Sequence, residues 1–348
     1  MAPSKRAVDG GRVNIALFDS STLVGKGVKN HLLKRQFPAG EVRLFDTGAV
    51  EAGGNLAEFR GEPMLAVRPG LEEMEKVDLA FLCGGVGTGK EYLDWPRQSR
   101  FVAIDLTQSA NAGGTIPVVN ARVNPENARD HQGVVASPHP AAQFLSTLLA
   151  PLARRLPLRE VVSLVMEPVS EAGEQGIEEL YRQTVGLLNF TPVPKELFGR
   201  VRAFNLVPAS LGGSGTTVEA QVVREVGAIL RGRDFLHALK ILLVPVFHCH
   251  AVLTRVRFGE PVAPAVLLQA FESEPSIRIR RGSEGATPAE LAGEEKIVLG
   301  EVQADSSDPG GFWLWGVTDN LATGAALNAV RIAEELVASG SLRKGVQA

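Results

Sequence analysis

The stretch VNIALFDSSTLVGKGVKNHLLKR, residues 13–35, decides the fold class of this 348-residue chain. Its first six residues are mostly apolar and favour a buried strand, and the segment from Gly25 to Arg35 has helical spacing, with Val24, Val28 and Leu32 on one face. Further apolar strand segments follow at residues 42–45, 78–83 and 101–105. Strands that alternate with helices predict an α/β fold with a Rossmann-like, doubly wound parallel sheet.

The pattern changes from about Leu158 onward. Strands are predicted at residues 160–167, between Ile241 and Phe258, and at 312–317, with a helix at 177–188, which together indicate an α+β domain. Residues 319–337 have helical spacing and are expected to return to the first domain. We therefore predict a nucleotide-binding-type domain of residues 1–134 plus 319–348, and a dimerisation or substrate-type domain of residues 135–318. The stretch from Gly282 to Glu295 is predicted to be a surface loop.

The composition excludes several classes of function. A net charge of −3 and an aromatic content of 6% provide neither a basic surface nor a stacking platform for nucleic acid. No apolar run approaches the roughly 20 residues of a membrane span, and the start of the chain lacks a signal-peptide core, so we expect a cytoplasmic protein without a membrane partner. Both cysteines, Cys83 and Cys249, are interpreted as buried small apolar side chains.

Several short motifs occur along the chain in an order that is typical of one protein family. They are VNPE at residues 123–126, EEL at 178–180, AFNLVP at 203–208, VPV at 244–246 leading to His250, DNL at 319–321 and GAALNAV at 324–330. From Val13 to Leu336 the chain resembles the aspartate-semialdehyde dehydrogenase family, and most of all its Usg-type branch, which keeps the fold and departs at the active site. The resemblance implies a homodimer formed by the second domain.

The resemblance also implies what each site residue would do. In the family a cysteine thiolate displaces phosphate from aspartyl phosphate, NADPH delivers hydride to the thioester, and a histidine handles the protons. Here the nucleophile position is Pro140, where a cysteine at the helix N-terminus would have been activated. The histidine position is His250, a vestigial catalytic candidate, and the glutamine beside the nucleophile becomes Glu167.

The positions that bind the substrate's anions depart from the family as well. The arginine that clamps the substrate carboxylate corresponds to Leu243, and the phosphate-binding lysine corresponds to Gln221. Glu219 and Glu225 beside that lysine are retained. The phosphate-binding arginine is expected near Ala110-Asn111, where the sequence has none.

The nucleotide-binding turn keeps only its last glycine. Asp19 puts an anion where pyrophosphate would approach, and Asp46 ends the second strand, where an acidic residue accepts a ribose hydroxyl and repels a 2′-phosphate. We expect either no cofactor or weak NAD(P) binding, with NAD favoured over NADP. The candidate cofactor-binding residues are Ser21, Thr22, Leu23, Val24, Gly25, Asp46, Gly84, Gly85 and Asn320.

Plainer interpretations remain open for individual residues. In an extended His248-Cys249-His250 segment both histidines would share one face and Cys249 the other, which disfavours a metal site or a relocated cysteine nucleophile. His250 would then be structural, and Glu167 a solvated charge at a strand end. Ser137 and His139 could form a weak serine–histidine pair, and Asn205 and Asn320 could cap loops.

The leading hypothesis is a catalytically inactive, homodimeric binding or scaffold protein whose other partner is an unidentified protein or small molecule. The alternative is an active NAD(P)-dependent oxidoreductase of the same family, acting on a semialdehyde or acyl phosphate by another route. The third hypothesis is a small-molecule sensor that binds its ligand in the cleft where the family's enzymes have their active site.

Overall fold

A computed structural model describes residues 11–48, 54–110, 115–212, 215–231, 234–280 and 285–343 of the chain. It divides the chain into two compact units, and each is described by itself. The first unit contains residues 1–121, 125–137 and 326–348, and the second contains residues 122–124 and 138–325. The division predicted from the sequence has its boundaries at residues 134 and 318.

The chain begins with the strands and helices of the first unit. They are β1 (Val13–Phe18), α1 (Leu23–Lys34), β2 (Ala39–Phe45), β3 (Asn55–Phe59), β4 (Glu62–Ala66), β5 (Leu79–Leu82), α2 (Val86–Tyr92), α3 (Trp95–Ser99), β6 (Val102–Asp105) and β7 (Val134–Ala136). Five of these strands form one sheet in the order β2-β1-β5-β6-β7, with every pair parallel. The predicted parallel α/β sheet is confirmed, and its ligand edge is the carboxyl end of the strands.

A two-stranded hairpin, β3–β4, lies outside that sheet and was not predicted. Its tip is Arg60-Gly61, both with positive φ (58° and 78°), the conformation of a tight two-residue hairpin turn. The sequence pattern concealed the hairpin because Leu56 and Leu65 point outward and are 81% and 56% exposed. Backbone hydrogen bonds from Asp46 to Val67 and from Val67 to Leu44 attach the hairpin to the end of β2.

The second unit follows, with elements of mixed type. They are α4 (Pro140–Arg155), β8 (Leu158–Glu167), α5 (Gly173–Leu188), β9 (Val207–Pro208), α6 (Gly215–Ile229), β10 (Leu236–Leu243), β11 (His250–Phe258), α7 (Pro264–Glu272), β12 (Ile277–Ile279), β13 (Ile297–Ala304) and β14 (Gly311–Thr318). Seven strands form a mixed sheet in the order β12-β13-β14-β11-β8-β10-β9. This arrangement confirms the predicted α+β character.

Helices cover one face of the mixed sheet. Val161 and Val165 of β8 and Val252 and Val256 of β11 share a buried core with apolar residues of α4, α6 and α7, including Phe144. Side chains alternate along a strand, so the residues between them lie on the opposite face.

The last helix, α8 (Ala325–Ala338), begins six residues later than predicted, because residues 319–324 form a capped turn. The Asp319 carboxylate accepts hydrogen bonds from the amides of Leu321 and Ala322. A Cβ at Gly324 would overlap the carbonyl oxygen of Asn320, so the turn requires glycine there. Within the predicted loop at 282–295, Ala286 and Leu291 are buried, and residues 282–284 lie outside the described part of the chain.

In the ranges that the structure describes, no helix has the length and apolar character required to cross a membrane.

Candidate active site and nucleotide turn

Pro140 is the first residue of helix α4, and the preceding residue already caps that helix. Nδ1 of His139 accepts a hydrogen bond from the Ala141 amide (3.2 Å), and the His139 amide donates to Oε2 of Glu225 (2.7 Å). Burial lowers the pKa of His139 to about 4, so its ring is neutral and can accept. The Ala141 amide, which could have faced an oxyanion, therefore bonds to His139 instead. Pro140 has no amide hydrogen to offer.

His250, the first residue of β11, is fully buried, and among the described residues neither of its ring nitrogens has a hydrogen-bond partner. Burial, with a smaller contribution from the charge of His139, lowers its pKa to about 3. Its Nδ1 lies 3.9 Å from Oε1 of Glu171. A histidine this hard to protonate is a poor proton acceptor at neutral pH.

Two carboxyl groups lie in the same region, Glu167 at the end of β8 and Glu171 in the short 3₁₀ turn Val169–Ala172. Burial raises the pKa of Glu167 to about 7, against a lowering effect of Arg202. Burial, followed by the charge of Glu167, raises the pKa of Glu171 to about 8, although Nδ2 of Asn320 donates to Oε1 of Glu171 at 2.7 Å. Glu167 is half-buried at the end of the strand, so its carboxyl is only partly solvated.

Arg202 is a buried cation that the sequence motifs did not reveal. It is 8% exposed, its guanidinium lies 4.6 Å from the centre of the Phe198 ring, and within the described ranges its Nη1 has no hydrogen-bond partner. The amides of Arg202 and Ala203 both donate to Oε1 of Gln183, which fixes the backbone. The only sequence signal was its place one residue before the AFNLVP motif.

The segment His248-Cys249-His250 is not extended, which corrects the predicted alternation. Cys249 has a φ of +74°, and strand β11 starts only at His250. The Cys249 amide donates to Oδ1 of Asn320 (3.0 Å), which locks the turn. Burial, followed by the charge of Asp319, raises the pKa of the Cys249 thiol to about 12.

Asn320, a candidate cofactor residue, lies in the second unit and connects three segments of it. Besides the Cys249 amide and Glu171, its side chain contacts Ser170, with Nδ2 donating to Oγ at 2.9 Å. Across the described ranges, no three His, Cys, Asp or Glu side chains are grouped as a metal would require.

The positions expected to hold substrate anions are occupied by intramolecular contacts. Leu243 ends β10 beside Glu167 and presents an apolar side chain. Nε2 of Gln221 donates to Oε1 of Glu225 (2.8 Å), and Glu219 accepts from Nζ of Lys240 (3.0 Å). Of the pair near the expected phosphate-binding arginine, Ala110 is buried and its amide donates to Asp105, and Asn111 lies outside the described residues.

The turn between β1 and α1 is filled by the Asp19 carboxylate. Asp19 has a φ of +52°, accepts from the Thr47 amide and hydroxyl at 2.8 Å each, and accepts from the Thr88 hydroxyl at 2.6 Å. A Cβ at Gly84 would overlap Oδ2 of Asp19, so the second glycine turn packs against this carboxylate. The residues present do not fit a dinucleotide pyrophosphate, because a buried anion stands where phosphate would approach.

The remaining candidate cofactor residues have structural partners or flank the turn. Thr22 caps α1 by accepting from the Gly25 amide (3.1 Å), and Leu23 and Val24 form the first turn of α1. Asp46 accepts from Ser21 Oγ (3.3 Å) and from Asn55 Nδ2 (3.0 Å), so each of its oxygens already has a donor. Gly85 precedes α2 as its N-cap.

Comparison with known proteins agrees with this architecture. The profile of a family described as "Semialdehyde dehydrogenase, dimerisation domain" matches residues 149–323, half of the chain. The chain belongs to the aspartate-semialdehyde dehydrogenase family. Relatives that cover nearly all of it include the aspartate-semialdehyde dehydrogenase of Rickettsia conorii, 29% identical over 94% of this chain and 98% of the relative, and the USG-1 protein homolog of Azotobacter vinelandii, 28% identical over the same shares.

A solved member of the family has the same fold. The crystal structure of aspartate semialdehyde dehydrogenase II from Vibrio cholerae, complexed with ASA, superposes with a TM-score of 0.86 at 29% identity. The match covers 94% of this chain and 98% of that one. Relatives named as enzymes and relatives named USG-1 homologs thus match at similar identity.

Proposed function

We propose that this member of the aspartate-semialdehyde dehydrogenase family does not catalyse the family's reaction and acts as a homodimeric binding protein. The observation that carries the proposal is the absence of a competent thiol. The sequence has two cysteines, and both are buried. Burial raises the pKa of Cys83 far above its ordinary value and that of Cys249 to about 12, so neither supplies a thiolate at neutral pH.

The surroundings of Pro140 support the same proposal. If only the thiol had been lost, the groups that bind an oxyanion and the substrate's anions would still be available. Here the Ala141 amide bonds to His139, and Gln221 bonds to Glu225. Leu243 offers no donor to a carboxylate. The Ala141 amide and the Gln221 side chain are therefore held by contacts within the protein.

A second candidate is a nicotinamide-dependent oxidoreductase without a covalent intermediate. The observation that favours it is the carboxyl pair, because pKa values of about 7 for Glu167 and about 8 for Glu171 suit acid–base chemistry near neutrality. Such an enzyme would need a working nucleotide turn, and the Asp19 carboxylate opposes it.

Calorimetric titration with NADP and NAD separates the two candidates. The binding-protein proposal expects no saturation below about 1 mM with NADP, and NAD no weaker than NADP, because Asp19 and Asp46 both repel phosphate. Micromolar affinity for NADP would favour the oxidoreductase. Heat-unfolded protein at the same concentration is the control for nonspecific heats.

The homodimer is supported by the sheet face opposite α4, α6 and α7. Leu164 pairs with Leu253 across β8 and β11, and Val162 and Trp313, both paired with Arg255, are 40% and 36% exposed. At the end of α5, Leu188 and Phe190 are also exposed, at 65% and 98%. Exposed apolar surface on this scale favours association, and a two-fold pair is the commonest closed arrangement.

Sedimentation velocity tests the assembly. We expect a species of twice the 37.1 kDa chain mass at micromolar concentration. A monomer across the whole concentration range would contradict the homodimer and leave the proposal on lost catalysis to be judged by its own assay.

A further inference from the structure

A groove of about 660 Å³ lies in the first unit between helix α1 and the β3–β4 hairpin. This volume is within the range of small-molecule pockets, about 300–1,000 Å³. Helix α1 contributes Lys26, Lys29 and Leu33, and the hairpin contributes Leu56 and the turn residue Arg60. The groove therefore combines cationic and apolar walls.

Positive charge dominates the groove. Among the residues that line it, Lys26, Lys29 and Arg60 are cationic and only Glu58 is anionic, so the net charge is positive by two. Lys29 is only 9% exposed, and its Nζ donates to the backbone carbonyl oxygen of Glu58 (3.1 Å). Desolvation, followed by the charge of Lys26, lowers the pKa of Lys29, against smaller raising effects of the Glu58 and Asp46 carboxylates. A bound anion would stabilise this buried charge.

The apolar part of the groove suits a flat, hydrophobic body. Leu33 and Leu56 line it and are 40% and 81% exposed, so each has surface that a ligand could cover. The Arg60 guanidinium lies 5.3 Å from the centre of the Phe59 ring, which leaves a planar cation at the tip of the hairpin. Planar guanidinium groups stack on aromatic ligands and also bind phosphate.

The groove is distinct from the nucleotide turn. Of the candidate cofactor residues only Ser21 lines it, and Thr22, Gly25 and Gly84 do not. It also lies outside the second unit, which holds Pro140, His250 and the carboxyl pair.

We propose that this groove binds a small organic phosphate, a dianionic phosphate monoester on an aromatic body. A phosphate monoester carries about two negative charges at neutral pH and so matches the net charge of the groove. The ammonium groups of Lys26 and Lys29 suit its tetrahedral oxygens, and Leu33 and Leu56 cover the ring. A carboxylate of the same size would neutralise only one charge.

Calorimetry with phenyl phosphate as the probe tests the proposal. We expect a Kd of about 1 mM or tighter for the native chain, and weaker binding of inorganic phosphate because it lacks the ring. Lys26→Met and Arg60→Gln, both at exposed positions, should each weaken binding about tenfold. Glu58→Gln removes the opposing carboxylate and should tighten binding about threefold. Lys34→Met, on the same helix but outside the groove, is the matched control and should change affinity less than twofold.

Three results would overturn the proposal. The first is a Kd for phenyl phosphate weaker than about 1 mM. The second is an equal loss in Lys34→Met and Lys26→Met, which would mean general attraction to the helix surface. The third is a pair of results: NADP displaces phenyl phosphate, and Arg60→Gln binds phenyl phosphate as tightly as the native chain does. Together these results would assign the binding to the nucleotide turn. Dehydrogenase assays test the residues of the second unit, so their outcome does not bear on phosphate binding in this groove.

Discussion

Replacing Glu171 by glutamine should make the protein more stable in alkaline solution. Burial raises the pKa of this carboxyl from its ordinary value of 4.5 to about 8. The folded chain therefore keeps a proton between these pH values that the unfolded chain releases. The stability that this group contributes is complete below about pH 4.5 and is lost as the pH rises through about 8. Glutamine has no proton to lose and keeps an oxygen for the Asn320 amide.

The size of the effect follows from the pKa difference. A difference of about 3.5, at about 1.4 kcal/mol for each pKa unit, sets an upper limit near 5 kcal/mol. Part of this free energy comes from repulsion by Glu167, and part of it has already been lost at pH 5, above the ordinary pKa of 4.5. Between pH 5 and pH 9 the stability advantage of Glu171→Gln should therefore grow by about 3–4 kcal/mol.

Urea unfolding at pH 5, 7 and 9 measures this. With a slope of about 3 kcal/mol per molar, the midpoint of Glu171→Gln should gain about 1 M over the native chain at pH 9. Glu178→Gln, an exposed substitution on the adjacent helix, is the control and should follow the native pH profile. Below about pH 4.5, where these carboxyl groups are protonated in both the folded and the unfolded chain, both proteins should lose stability, because His250 and His139 have pKa values lowered to about 3 and 4 and take up protons more readily in the unfolded chain. Parallel profiles for Glu171→Gln and the native chain up to pH 9 would refute the buried carboxyl pair.

Three further predictions concern the lost chemistry and the assembly. Pro140→Cys alone should give no phosphate-dependent dehydrogenase activity, because Leu243 and Gln221 cannot hold the substrate's anions; full activity from this one change would show that the substrate pocket is intact. Asp19→Gly should tighten NAD binding about tenfold in a calorimetric titration, since it removes a buried anion and a strained positive φ, and an unchanged affinity would mean that the turn does not oppose nucleotides. Val162→Glu should shift sedimentation towards the monomer with the thermal midpoint changed little, since Val162 is 40% exposed, and an unaltered dimer would place the interface elsewhere.

The buried strands could be predicted because their sequence determines them locally. Segments such as Val13–Phe18 and Leu79–Leu82 are apolar runs that only a covered sheet accommodates. The β3–β4 hairpin could not be predicted, because its leucines face outward and break the expected alternation. The start of α8 was misjudged because Asp319, which looks like a helix cap, instead caps the turn before it.

Less of the candidate site than of the fold could be predicted from the sequence. The substitutions at Pro140 and Leu243 were visible because a motif marked each place. The partnership of Glu167 with Arg202 was not, because 34 residues separate them and only folding brings their charges near each other. No sequence motif marked Glu171, and its raised pKa arises from burial that no local pattern encodes. The left-handed backbone of Cys249 likewise depends on Asn320, 71 residues away.

Phosphate-dependent reduction of NADP by aspartate semialdehyde tests the central claim most directly. The assay uses the native protein at micromolar concentration, with an authentic family dehydrogenase as the positive control. Because Pro140 supplies no thiol and the buried Cys249 has a pKa of about 12, we predict no turnover above the enzyme-free rate. A turnover number in the ordinary enzymatic range, about 1–10³ per second, would contradict the account.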